Sequence, residues 1–176
     1  EVVGFDNLPV QGACLVAANH KSNWDPFLLG TVLGRRRPAY FIAKRELFHN
    51  KILGALLVAI GSVAIDRRQA DVGAMRGFLN LLRDGELIAV FPEGTRKREH
   101  RLARFLPGIG FLAQKSGADI VPAFITDFGA TPSLGARIRI VFGSPVKVAA
   151  LAGADAQGIA DTVLQEVRKL AEGRTS

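Results

Sequence analysis

Five short runs in this chain are apolar almost without a break: ACLVAA (13–18), AYFIA (39–43), SVAI (62–65), LIAVF (87–91) and DIVPAFIT (119–126). A strand with no polar face must be covered on both sides, which calls for helices above and below a mostly parallel sheet. The segments between the runs supply those helices. Asp25-Pro26 opens one that reaches about Leu33, with Pro near the first helical position and Gly34 after the end. Others are expected over about 51–60, about 70–83 before Gly85, 109–116 before Gly117, and about 156–171. ARIRIVFG (136–143) alternates Arg with apolar residues, so it reads as a strand at an edge or with one face exposed. The fold class is α/β, with a mostly parallel central sheet covered by helices on both faces.

No internal repeat or linker-like tract divides the 176 residues, so one domain over 1–176 is expected. The chain begins with Glu1 rather than Met, and an N-terminal membrane-anchoring segment is expected to be missing from it. ILGALLVAIGSVAI (52–65) falls short of the roughly 20 residues that a spanning helix needs. It reads as a helix running into a strand with at least one face in the core; a helix dipping into one leaflet is compatible with that. The single cysteine, Cys14, allows no internal disulfide and fits a reducing compartment. With 23 Lys and Arg against 16 Asp and Glu, the net charge of +7 favours anionic partners.

In a parallel sheet the working groups collect on loops at the carboxyl ends of the strands. Asn19-His20 follows the first run, Asp66-Arg67 the third, Pro92-Glu93-Gly94-Thr95-Arg96 the fourth, and Pro122 comes after DIV in the fifth. These should share one rim. His20 can take a proton from a hydroxyl near neutral pH, and works better when a carboxylate fixes its tautomer. Asp25 is set to do that. Their spacing of five is not that of one helix face. It suits a loop in which Asp25, at the helix start, folds back on His20. The plainer alternative is a loop histidine and a helix cap. In FPEGTR (91–96), Arg96 offers a planar fork for phosphate oxygens, Gly94 allows close backbone approach, Glu93 accepts and Thr95 donates hydrogen bonds. Arg67 is a second phosphate candidate. The plainer alternative for both is a polar turn with solvated or ion-paired arginines. Two basic runs, Arg35-Arg36-Arg37 and Arg96 to Arg104, are either solvated loops or contacts for anionic lipid headgroups.

Other chemistries find little support. There is no G-x-S-x-G elbow, no H-E-x-x-H and no cysteine cluster, so neither a serine nucleophile nor a metal is indicated. Gly108 to Ala113 fits G-x-G-x-x-A, but no clear strand precedes it. One Trp and one Tyr, with no recognisable module, argue against nucleic acid.

Taken in order over about residues 4–125, these blocks resemble the glycerolipid acyltransferase family, the 1-acylglycerol-3-phosphate (lysophosphatidate) acyltransferases. GFDNLPVQGACLVAANHKSNWDP carries an N-H-x-x-x-x-D core at Asn19, His20 and Asp25. YFIAKREL with GSVAIDR, then FPEGTR, then IVPAFI are similar to the later blocks. The resemblance implies a glycerol-3-phosphate acyltransferase-like fold and a direct acyl transfer. His20 would be the general base on the free sn-2 hydroxyl, oriented by Asp25. Arg67, Glu93, Gly94, Thr95 and Arg96 would hold the glycerol phosphate. The co-substrate would be acyl-CoA or acyl carrier protein, with no bound cofactor and no metal. It also implies phospholipid biosynthesis at the cytoplasmic face of a membrane, with the protein peripheral or monotopic. Lysophosphatidate and an anionic membrane surface would be partners, and nucleic acid would not. The alternatives are another lysolipid or glycerol 3-phosphate as acceptor, or a non-catalytic anionic-lipid-binding module. Two positions depart from the family pattern: Lys97 replaces the usual Ser after FPEGTR, and Leu106 replaces a usual Lys.

Overall fold

The apolar runs do become neighbouring strands. In the computed structural model, which describes residues 1–44, 49–65, 72–94, 102–126, 129 and 135–173, the strands are β1 (Val2–Val3), β2 (Cys14–Ala18), β3 (Ala39–Lys44), β4 (Ser62–Ile65), β5 (Leu87–Val90), β6 (Asp119–Ile125) and β7 (Ile140–Phe142). The helices between and after them are α1 (Asp25–Gly34), α2 (Lys51–Ala59), α3 (Val72–Arg83), α4 (Gly108–Ser116) and α5 (Ala156–Ala171). Among the described residues the strands form one sheet in the order β1-β7-β6-β2-β5-β3-β4. Among the described residues only the β6–β7 pair of strands is antiparallel.

The pleat of β2 shows why the sheet is two-faced. Leu15 and Ala17 pack with Phe78 and Leu82 of α3, Leu112 of α4 and Val163 of α5. Cys14, Val16 and Ala18 face the other way, with Leu29 and Leu33 of α1. All five residues of β2 are buried. Burying one such Val or Leu side chain is worth about 1.5–3 kcal/mol, so a one-residue slip of register would be prohibitive. α4 and α5 approach closely because position 110 is glycine: a Cβ there would overlap the carbonyl of Ala156. The G-x-G-x-x-A sequence is thus the start of a packed helix, not a nucleotide loop.

Two sequence expectations need correction. The strand expected over 136–143 is confined to Ile140–Phe142, all three residues buried. It is not an edge, because Val2–Val3 pairs along its outer side, and the N-terminal ammonium donates to the Ile138 carbonyl at 2.9 Å. Pro122 does not follow a strand but lies inside β6, between β2 and β7. Pairs run Ala123 with Phe142 but Ile120 with Val146, one residue out of step. The chain just after β7 therefore bulges beside Pro122, where the missing N–H breaks no ladder bond.

α2 is two-sided: Leu57 is buried while Val58 is 64% exposed. Among the described residues no helix is long and apolar enough to cross a membrane.

The basic run after α1 sits at the amino ends of the strands, away from the rim expected to carry the chemistry. The Arg36 Nε–H donates to the Leu8 carbonyl at 3.0 Å. The Arg37 guanidinium donates to the carbonyls of Gly12 and Gly85, the residues leading into β2 and β5. Arg35 and Arg36 both lie over the Phe5 ring. One donor of Arg36 and two of Arg37 are thus committed to carbonyls of this chain.

Candidate active site

The parallel register pairs Ala17 with Val90, so His20 and Glu93 stand at matching places beyond β2 and β5. They meet there, and the His20 backbone N–H donates to Glu93 Oε1 at 3.0 Å. Asn19, buried, extends the strand before it. Its Nδ2 donates to the Ile125 carbonyl at 2.9 Å, and its Oδ1 accepts from the Ile125 N–H at 2.7 Å. One side-chain amide replaces a further pair of the β2–β6 ladder.

The loop then closes on Asp25. Its Oδ2 accepts the backbone N–H groups of Lys21 and Ser22, both at 2.7 Å, and lies 2.9 Å from His20 Nδ1. The Ser22 hydroxyl accepts the Trp24 N–H at 3.2 Å. The spacing of five is thus a tight loop wound around one carboxylate oxygen, at a helix N-terminus that favours negative charge. An oxygen already taking two backbone donors acts as an acceptor, so Nδ1 carries the imidazole proton and Nε2 keeps the lone pair. Among the described residues Nε2 has no hydrogen bond. Asp25 is 1% exposed and the His20 side chain 19%, so the carboxylate is sealed while the ring keeps one opening. The ring stacks on Phe91, with centroids 4.4 Å apart and planes 25° from parallel.

Glu93 is also buried, at 5% exposure. Burial pushes its carboxyl above the usual range, against the lowering influence of the His20 N–H, the Lys21 charge, the Ala103 N–H and the His20 ring. Asp25 Oδ1 and Glu93 Oε2 are buried atoms without a hydrogen bond among the described residues. Gly94 takes φ +71°, and a Cβ there would lie 2.6 Å from Leu106 Cδ1. Its space is filled by Leu106, whose N–H donates to the Pro92 carbonyl at 2.9 Å. Leu106 itself is 54% exposed, as Trp24 is 45%.

The structure therefore brings His20, Asp25, Glu93 and Gly94 to one rim. Arg67, Thr95 and Arg96 lie outside the described residues, as do Asp66 and Lys97. Among the described residues no group of His, Cys, Asp and Glu could hold a metal. Cys14 lies at the far end of β2, with its thiol pushed up to about 12 by burial, and cannot serve as a nucleophile. The arrangement offers an oriented imidazole whose Nε2, in the neutral ring, can accept a proton. Sequence reading missed Phe91, which looks like the last core residue of a strand, and the clamp made by Asn19. The signal for both was the strand register, which brings the two loops side by side.

Over residues 1–126 the chain matches the protein family described as Acyltransferase. It is 30% identical to a probable 1-acyl-sn-glycerol-3-phosphate acyltransferase of Mycoplasma pneumoniae, across 94% of this chain and 68% of that one. It is 28% identical to the 1-acyl-sn-glycerol-3-phosphate acyltransferase of Bacillus subtilis, across 83% of this chain and 73% of that one. Its fold is similar to the crystal structure of the 1-acyl-sn-glycerophosphate acyltransferase of Thermotoga maritima, with a TM-score of 0.73 at 24% identity, over 98% of this chain and 72% of that one.

Proposed function

This chain belongs to the acyltransferase family, and on that premise we propose that it moves a fatty acyl group from a thioester to the free sn-2 hydroxyl of 1-acylglycerol 3-phosphate, giving phosphatidate. The observation that carries the chemistry is the 2.9 Å contact between His20 Nδ1 and Asp25 Oδ2, which leaves Nε2 free to act. Nε2 takes the hydroxyl proton as the oxygen attacks the thioester carbonyl. The Asp25 carboxylate stabilises the imidazolium so formed. The tetrahedral intermediate collapses, the C–S bond breaks, and the thiolate receives the proton from Nε2. No acyl-enzyme forms, and holding both substrates together lowers the entropic part of the barrier.

Arg67, Gly94, Thr95 and Arg96 hold the glycerol phosphate in this reading, with Arg96 giving bidentate contact to the phosphate. The donor is acyl-CoA or acyl carrier protein. An acceptor with a long apolar tail has to be met at a membrane, so the protein works at the cytoplasmic face as a peripheral or monotopic enzyme. Binding to anionic vesicles should then weaken as salt rises; salt-independent binding would remove the electrostatic part. A second acceptor class, another lysolipid or glycerol 3-phosphate, has one observation in its favour. The half-exposed Leu106 sits against Gly94, at the position where the family pattern that the sequence resembles has a lysine.

The deciding experiment follows thiol release from acyl-CoA and from acyl carrier protein, with and without lysophosphatidate. Release should require the acceptor, and His20→Ala should lower it at least about 10³-fold while the protein stays folded. A fully active His20→Ala would end the mechanism.

A further inference from the structure

We propose that the turn from Phe91 to Gly94 is the positioning device of the general base: Glu93 fixes the backbone of His20, Phe91 fixes its ring, and neither touches the acceptor. This rests on the acyl-transfer reading of the same site. It gives Glu93 a task different from holding a substrate hydroxyl.

An imidazole is not placed by one hydrogen bond. Asp25 sets the tautomer and anchors Nδ1, but a ring anchored at one atom still pivots about that contact and swings Nε2 through space. Two further constraints are needed, one on the backbone and one on a ring face. Both come from the loop after β5. Glu93 Oε1 takes the His20 N–H at 3.0 Å, the first polar contact past the clamp at Asn19. Phe91, two residues earlier, covers one face of the ring at 4.4 Å. The turn that joins them is itself closed, by the Gly94 N–H on the Phe91 carbonyl at 3.1 Å and the Leu106 N–H on the Pro92 carbonyl at 2.9 Å. The two constraints therefore move together.

Burial decides between this role and substrate contact. Glu93 is 5% exposed, and its unbonded Oε2 is sealed from solvent as well. No acceptor hydroxyl reaches Oε2 without the turn opening, which would release the His20 N–H from Oε1. A displacement of about 1 Å at a reacting atom can cost about 10²-fold in rate, so a carboxylate that only holds the base in place has a large effect to exert.

The test uses the whole chain with Glu93→Gln, Glu93→Ala and Phe91→Leu. Glutamine keeps an oxygen for the His20 N–H and removes the charge; alanine removes both. Expected are a fall in kcat of about 10- to 100-fold for Glu93→Ala, a clearly smaller fall for Glu93→Gln, and an acceptor KM within about twofold of wild type in each. Phe91→Leu should lower kcat about 10-fold at unchanged acceptor KM and move the His20 ring-proton NMR signals as the ring current is lost. Glu93→Gln as inactive as Glu93→Ala, or a raised acceptor KM in either, would assign Glu93 to the substrate and overturn the proposal. So would unmoved His20 ring signals in Phe91→Leu. The NMR readout needs no turnover: if the wild type transfers no acyl group the acyl-transfer reading fails, while the ring and amide signals of His20 still decide whether this turn holds it.

Discussion

At the carboxyl ends of β2 and β5, Asp25 Oδ1 and Glu93 Oε2 are buried without a hydrogen bond among the described residues. At the amino ends of the same two strands, Arg37 gives its guanidinium to the carbonyls of Gly12 and Gly85 and lies 3.8 Å from Glu86. Nearby, Asp119 takes the Lys147 ammonium at 2.7 Å and the Val148 N–H at 3.2 Å. Both rims are rich in charge. Both spend it on the chain's own backbone, but the carboxyl-end rim also keeps two oxygens without a partner beside the partly open histidine. Orphaned buried oxygens cost about 1–3 kcal/mol each, and natural proteins tolerate few without a use for them. The difference teaches that buried oxygens left without a partner gather around the base, even where the residue types of the two rims are alike.

The largest effect that could break this comparison is at Asp25. Asp25→Asn keeps the shape but takes the counter-charge from the imidazolium, so thiol release should fall about 10²- to 10⁴-fold with little loss of stability. A variant within threefold of wild type would place Asp25 with the structural charges.

Arg37 should behave in the opposite sense. Arg37→Ala strips donors from the exposed Gly12 carbonyl and the part-buried Gly85 carbonyl and should cost about 1 kcal/mol in a urea titration, with kcat unchanged. A loss of kcat without loss of stability would mean that the far rim reports to the chemistry.

The smallest effect concerns Glu93. Burial holds its carboxyl above the usual carboxylate range, against the lowering influence of the His20 N–H and the Lys21 charge. A raised folded pKa in an acid means that the folded state holds the proton more tightly. Its contribution is present below the unfolded pKa and is lost as pH rises through the folded pKa. Melting temperature should therefore decline from about pH 4.5 upward in wild type, and less in Glu93→Gln. Parallel curves would show that this oxygen is not short of partners.

Much of the architecture could be read from the chain because it depends on local pattern. The apolar runs located β2 to β6, and Gly117 ended α4 as a left-handed cap, its N–H on the Ala113 carbonyl at 2.8 Å. What escaped depends on distant pairing. Val2–Val3 is too short to show a period, yet it turns β7 from an edge into an interior strand. The roles of Arg36 and Arg37 are fixed by carbonyls between 25 and 48 residues away. Within the site, His20 and Asp25 were legible because their contact spans one loop. Phe91 and the placement of Glu93 were not, because they are defined by which strand lies beside which.

Asn19 has a consequence for how the rim moves. By bonding both backbone groups of Ile125, it carries the stiffness of the sheet to the residue directly before the base. The hinge of the catalytic loop therefore begins after His20, not at the end of β2. In hydrogen exchange the Ile125 amide should open only with the sheet interior, while the amides of Lys21 and Ser22, held by a single carboxylate oxygen, open with the loop. The site is then a held ring on a fixed mount, and opening of the loop beyond it is decoupled from unfolding.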